Sequence, residues 1–234
     1  MWTRRIRCSA VAIMTVFTVV GCGGAAGHHG HGGGHGHGHG GHGDQGFKSP
    51  EEWAQRFDDP ARAEWQKPEA VVRHLELSSN STVAEIGAGT GYWVVRIAPE
   101  VPVGKVYAVD IEPSMVEYTT KRAATLGFKN VEGVVGAPDD PKLPAAVDVL
   151  LLVDTYHHIA DRTAYFQRLR AKIAAGGRLV IVDYKVDPAI PGPPQEMRLT
   201  PDAVVGELED AGFHLKTRSE GALPRQYILI FTAG

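Results

Sequence analysis

The stretch Glu85-Ile86-Gly87-Ala88-Gly89-Thr90-Gly91-Tyr92 decides the fold. The apolar segment before it, 82–86, reads as a strand that runs straight into three glycines at alternate positions, and 92–98 reads as a helix. Residues without a Cβ allow a sharp strand-to-helix turn and let a ligand lie against bare backbone. On the downstream side, 105–110 is a second strand, Pro113 suits the first turn of a helix reaching about Leu126, and 131–135 is a third strand. The run VDVLLLV at 147–153 is apolar on both faces and is expected to be the central buried strand of a parallel sheet. Asp161 is expected to cap a helix reaching Ile173 that Gly176 and Gly177 end, before a fifth strand at 178–182. Helices at 50–57 and 68–75 precede all of this. Thr200 and Pro201 open a last helix that closes at Ala211 and Gly212, and the strands 213–218 and 226–231 follow with only a short loop between them. The alternation predicts an α/β fold with an open sheet of seven strands, mostly parallel and ending in an antiparallel hairpin. In such sheets ligands sit at the carboxyl ends of the strands.

Composition narrows the alternatives. The chain has 234 residues, 43% hydrophobic and 22% charged, which suits one domain of ordinary core size. It excludes a coiled coil, a collagen-like rod and a multi-span membrane protein. Glycine and histidine are concentrated in 21–46, and from Phe47 onward 21 Lys and Arg face 26 Asp and Glu, a net of −5. Such a domain is not built to hold nucleic acid or an anionic membrane. Both cysteines, Cys8 and Cys22, precede it, so cysteine-thiolate chemistry is excluded inside it.

The glycine loop speaks about its ligand as well. A dinucleotide fingerprint would place glycine at 87, 89 and 92, but Tyr92 occupies the last position, which weakens a pyrophosphate or nicotinamide reading. Glu85, two residues before the first glycine, suits a ligand that carries an ammonium group. Asp110 ends the second strand, where a carboxylate can accept hydrogen bonds from both hydroxyls of a ribose, and Ile111 beside it can cover an adenine face.

The combination E-x-G-x-G-x-G, an acidic end to the second strand and Asp148-x-x-x-x-x-Asp154 on the fourth resembles a class I S-adenosylmethionine-dependent methyltransferase of the type 11 or type 25 kind. The resemblance extends over most of 65–231, including Trp65-Gln66-Lys67-Pro68 and Asp154-Thr155-Tyr156-His157-His158. It implies a Rossmann-like sheet and S-adenosylmethionine as cosubstrate. Gly87, Gly89 and Gly91 would line the methionine portion, Glu85 would shape the loop near its amino group, Asp110 would hold the ribose, and Ile111 would pack on adenine. Asp139, with Asp140 as substitute, would meet the adenine amino group, and Asp154 would face the methionine end and the acceptor. A hydroxyl or carbon-acid acceptor needs a base near the fourth strand, and Asp154, His157 and His158 are the groups available there. Adjacent in sequence, the two histidines are expected to diverge, and no metal site is expected in the domain. Asp183, at the end of the fifth strand, is a further candidate for substrate contact.

The first 46 residues have a different character. Arg4, Arg5 and Arg7 precede an apolar run of 13 residues, Cys8 to Val20, too short for a membrane span and suited to a signal peptide. Val19-Val20-Gly21-Cys22 resembles the bacterial lipobox, which implies cleavage after residue 21 and a lipid on Cys22. Residues 22–46 are a Gly/His tether with nothing to bury, whose imidazoles suit weak divalent-metal binding. Three segments are therefore expected: a signal peptide at 1–21, the tether at 22–46 and the methyltransferase domain at 47–234. The expected activity is methyl transfer to an unidentified small-molecule acceptor, in a lipoprotein anchored in the cell envelope. If the signal reading fails, the location is cytoplasmic. The competing expectation is an envelope metal-binding lipoprotein whose methyltransferase-like domain is non-catalytic.

Overall fold

The computed structural model describes residues 49–234. The signal peptide, Cys22 and the histidine tether lie outside the described residues. Seven strands form one sheet: β1 Thr82–Ile86, β2 Lys105–Asp110, β3 Val131–Val135, β4 Val147–Val153, β5 Ile173–Tyr184, β6 Phe213–Ser219 and β7 Gln226–Ala233. Their order is β3-β2-β1-β4-β5-β7-β6. The first five run parallel, and β7 is antiparallel to both β5 and β6. The expected sheet is present, with β4 in its middle and β7 inserted between β5 and β6. The helices are α1 Pro50–Phe57, α2 Arg62–Gln66, α3 Pro68–His74, α4 Val94–Ile97, α5 Pro113–Thr125, α6 Arg162–Arg170 and α7 Pro201–Asp210.

Two apolar layers follow from strand alternation. Val149, Leu151, Val153, Val180 and Val182 pack with Val71 of α3, Leu75 just after it, and Val94 and Ile97 of α4. Leu150, Leu152, Leu179 and Ile181 face the other way, onto Tyr165, Phe166 and Leu169 of α6 and Val204 and Leu208 of α7. The consecutive apolar residues Val149 to Val153 of β4 thus feed two cores at once. From β1 the chain winds outward through β2 to β3, then returns to β4 and proceeds the other way. The carboxyl ends of β1 and β4 therefore flank the crevice where the winding reverses, the place at which such sheets take ligands. The connection from β3 to β4 carries no helix.

One expected boundary is corrected. Gly176 and Gly177 do not terminate α6, which stops at Arg170; they lie inside β5. Pairing with β4 jumps from Val147↔Ile173 to Val149↔Arg178, so the extra residues of β5 form a bulge. A Cβ at Gly177 would meet Ile173 Cγ2 at 2.7 Å and two backbone oxygens at 2.9 Å. The glycines serve the bulge and not a helix end. Asp161 does occupy the N-cap position of α6, but at φ 44° and without a side-chain cap bond. Among the described residues, no helix is long and apolar enough to cross a membrane.

Candidate active site

The glycine loop leaves β1 with Gly87, Gly89 and Gly91 all in the left-handed region, at φ 77°, 52° and 80°. The Gly87 and Ala88 N–H groups both donate to Val109 O at 2.9 Å, which ties the loop to β2. From α5, the Thr119 hydroxyl donates to Gly89 O at 2.7 Å and Arg122 donates to Thr90 O at 3.0 Å. Arg122 also pairs with Asp58 at 2.8 Å, joining the loop to the end of α1. A Cβ at Gly87 would run into the Thr155 side chain, with Cγ2 at 2.6 Å, so the exits of β1 and β4 touch at that point.

Asp110 is aimed by the same loop. Its Oδ2 accepts from Gly89 N–H at 2.8 Å and its Oδ1 from Glu112 N–H at 3.0 Å. Burial raises its pKa, and these backbone donors oppose the rise. Each oxygen keeps a further lone pair for a ligand hydroxyl. Ile111 is 54% exposed beside it, an apolar face left open at the end of β2. Asp139 and Asp140 sit on the exposed turn after β3, where Asp140 Oδ1 accepts from Lys142 N–H at 2.8 Å. Asp139 offers its backbone oxygen to Arg168 at 3.0 Å.

Glu85 is buried at the end of β1, its Oε2 has no hydrogen-bond partner, and burial lifts its pKa well above the carboxylate range. The charge of Asp110 adds to the rise, while Arg62 and the Val94 N–H oppose it. Thr90 Oγ1, Tyr92 OH and Trp93 Nε1 are also buried and unpartnered. All four orphaned atoms of the described residues fall within 85–93, on the loop and its immediate exit. Buried polar atoms in native proteins are rarely left unpaired, and their clustering makes the loop a candidate place for a ligand. The set fits S-adenosylmethionine: a carboxylate for an ammonium, a glycine cradle, an aimed Asp110 for a ribose and an apolar Ile111 for a purine face.

At the exit of β4, Asp154 adopts φ 54° and stands between two polar groups. On one side, Gln66 Nε2 donates to its Oδ2 at 3.3 Å and to Gln226 Oε1 at 3.1 Å, and Gln226 Nε2 donates to its Oδ1. Arg62 donates to Gln66 Oε1, and its Nη2 lies 3.9 Å from Asp154 Oδ2. Because a guanidinium only donates, Arg62 sets the direction of both amides, and the chain of donors ends on the carboxylate. Burial foremost, then the charge of Asp183, pushes Asp154 up to about 7 against the pull of Arg62, His157 and Gln226.

On the other side, His157 Nδ1 lies 2.9 and 3.0 Å from the two Asp183 oxygens, with the side chains 3% and 2% exposed. Burial pulls the His157 pKa down. The Asp183 bond and charge, with the charge of Asp154, outweigh it and leave the value raised. With Nδ1–H held by a carboxylate, Nε2 is the nitrogen left to take a proton. The expected divergence of His157 and His158 is corrected: on the tight 3-10 turn Tyr156–His158 their rings lie 4.2 Å apart. His158 is the exposed member. Among the described residues, no group of three or more His, Cys, Asp and Glu is placed to hold a metal ion. Tyr156 is fully buried, donates to Glu207 at 2.7 Å and stacks on Phe166, so it braces the turn.

Sequence reasoning missed Arg62, Gln66 and Gln226. α2 has five residues, too few for a periodicity, and Gln226 opens an apolar strand with no motif around it. The pairing of Asp183 with His157 is likewise invisible over a separation of 26 residues.

Comparison with known proteins agrees with this fold. A SAM-dependent methyltransferase of known structure from Aquifex aeolicus superposes with a TM-score of 0.72 at 28% identity, over 79% of this chain and 98% of that one. Among curated proteins, the tRNA U34 carboxymethyltransferase of Desulfotalea psychrophila is 29% identical over 128 residues, 51% of this chain. Phosphoethanolamine N-methyltransferase 3 of Arabidopsis thaliana is 30% identical over 124 residues, 52% of this chain. The matched segments span only 38% and 25% of those two relatives. The family model described as a methyltransferase domain matches residues 77–218, from just before β1 into β6, and the chain belongs to that family.

Proposed function

We propose that this protein is an S-adenosylmethionine-dependent methyltransferase acting on the hydroxyl of a small acceptor, with His157 as general base. The observation that carries the reading is the cluster of orphaned buried polar atoms at 85–93 beside an Asp110 already aimed by Gly89. When bound, S-adenosylmethionine supplies a methyl on a positively charged sulfur, and the sulfur keeps the electron pair of the broken C–S bond. Glu85 is the partner for its ammonium, Gly87, Gly89 and Gly91 admit its methionine portion, Asp110 takes the ribose hydroxyls and Ile111 covers the purine. Asp139 is the proposed partner of the adenine amino group, from the turn after β3. Asp154 faces the sulfur end, where its carboxylate, fixed by Gln66 and Gln226, helps to orient the acceptor. His157 accepts the hydroxyl proton at Nε2 as the new O–CH3 bond forms, and Asp183 steadies the resulting imidazolium. His158, in ring contact with it, is the alternate base. Most of the acceleration comes from alignment, which can contribute roughly 7–11 kcal/mol.

Calorimetric titration with S-adenosylmethionine, S-adenosylhomocysteine and NAD tests the reading. We expect binding of the first two and none of NAD, and at least tenfold weaker S-adenosylmethionine affinity in Asp110→Ala. Unchanged affinity in that variant would overturn the ribose assignment. Attachment to the cell envelope through a lipid on Cys22, with weak divalent-metal uptake by the histidine tether, is part of the same proposal and rests on the charged start, the length of the apolar run and the Val-Val-Gly-Cys pattern. Fractionation of cells expressing the chain should place it with membranes, and Cys22→Ala should release it.

A further inference from the structure

Three arginines surround Tyr184 at the mouth of the site, and they are not equivalent. Arg198 is buried and spends its donors on the backbone oxygens of Pro193 (2.8 Å), Lys185 (3.2 Å), Asp187 (3.0 Å) and Ile190 (2.8 Å). Arg62 is engaged with Phe57 O at 3.0 Å, with Gln66 and with Asp154. Arg225 is half-buried and rests over the Trp65 ring at 4.9 Å. Its guanidinium has no hydrogen bond or ion pair among the described residues. Arg198 lies 5.4 Å from the Tyr184 ring, and all three guanidinium groups act on its hydroxyl against the charge of Asp154.

The same place offers flat apolar surface. The half-buried Trp65 ring forms the wall, and the buried Tyr184 ring backs it at 5.8 Å and 36°. The wall adjoins the polar cluster covalently: Trp65 precedes Gln66 and Arg225 precedes Gln226, the two amides that bond Asp154. Tyr184 and Gln226 are directly paired across β5 and β7 and so share a face of the sheet.

We propose that Arg225 anchors the acceptor, and that the acceptor is a planar aromatic compound bearing a carboxylate in addition to the hydroxyl that is methylated. A planar guanidinium with free donors matches a carboxylate in a bidentate fork, and the Trp65 ring beside it takes the aromatic ring. The inference rests on the methyltransferase reading of the site and assigns its substrate class.

The test uses the full chain saturated with S-adenosylhomocysteine, titrated with 3,4-dihydroxybenzoate and separately with its methyl ester. The acid is expected to bind at least tenfold more tightly than the ester. Arg225→Gln should remove that preference by weakening the acid about tenfold with the ester unchanged, Arg225→Lys should restore part of it, and S-adenosylhomocysteine affinity should stay the same in both variants. Equal binding of acid and ester by the unaltered protein, binding of neither, or an acid affinity unaffected by Arg225→Gln would overturn the acceptor assignment while leaving the methyltransferase reading intact. Loss of S-adenosylhomocysteine affinity in Arg225→Gln would assign the guanidinium to the methionine carboxylate instead. Failure of the unaltered protein to bind S-adenosylhomocysteine at all would overturn both.

Discussion

Asp154 and His157 share one electrostatic problem. Each feels Asp183, the first as a like charge and the second as a partner, and both are displaced toward neutral pH or above their ordinary values. Groups coupled in this way titrate as a pair, and the neutral imidazole needed for proton removal is present only above the raised value of His157. Activity should therefore fall as pH drops through the acid limb of the kcat/KM profile. Asp183→Asn should shift that limb to lower pH, because the charge that holds the imidazolium is gone, and should lower kcat. A purely structural loss would scale the profile without moving it. His157→Gln should lower kcat by about 10²–10⁴-fold with S-adenosylmethionine affinity unchanged. Neither the pairing nor the shift is legible from sequence: Asp183 and His157 each stand out as polar residues at strand exits, and only the adjacency of β4 and β5 brings them together.

At the scale of elements, the strands were legible because their chemistry is local: VDVLLLV can be buried on both faces only in the middle of a parallel sheet, and it is. The α6–β5 junction was not, because two glycines after a helix look alike whether they stop it or bulge the following strand. α2 escaped for a related reason. A five-residue helix has no stability of its own, and this one is held by the Arg62–Phe57 and Gln66–Asp154 bonds that only the tertiary structure supplies. The glycine loop is the opposite case, since its geometry follows from its composition. Gly87→Ala should weaken S-adenosylmethionine binding at least tenfold, because the new methyl overlaps Thr155 and the residue is held at φ 77°. Adding Thr155→Ala should recover only part of the affinity, since it clears the overlap but not the left-handed backbone, which costs about 1–2 kcal/mol for a residue with a Cβ. Full recovery by the double variant, measured by calorimetry, would show that the backbone conformation carries no penalty.

For the whole molecule, the acids at the site impose a dependence of stability on pH opposite to ordinary acid denaturation. Glu85, Asp110 and Asp154 all have raised values in the folded protein, and so does His157. A raised group binds protons more tightly folded than unfolded, so stability falls as pH climbs from its unfolded value through its folded one. For Asp154 that window runs from 3.8 to about 7; for His157 it opens at 6.5 and extends upward. The groups shifted the other way do not compensate there: Glu76 and Glu207 are lowered from 4.5, so their contribution is already complete above that pH. The ligand-free protein should therefore melt at a higher temperature at pH 6 than at pH 8, and a difference of about 1 kcal/mol corresponds to roughly 2–4 °C in a domain of this size. Asp154→Asn should flatten the slope, because it removes the carboxylate whose raised value of about 7 lies within that pH range. S-adenosylhomocysteine should flatten it as well, because an ammonium beside Glu85 favours the charged carboxylate and removes the penalty for ionising it. Thermal melts between pH 5.5 and 8.5, with and without ligand, check this directly, and a melting temperature that rises with pH in the ligand-free protein would mean that these carboxylates are ionised and satisfied in the fold.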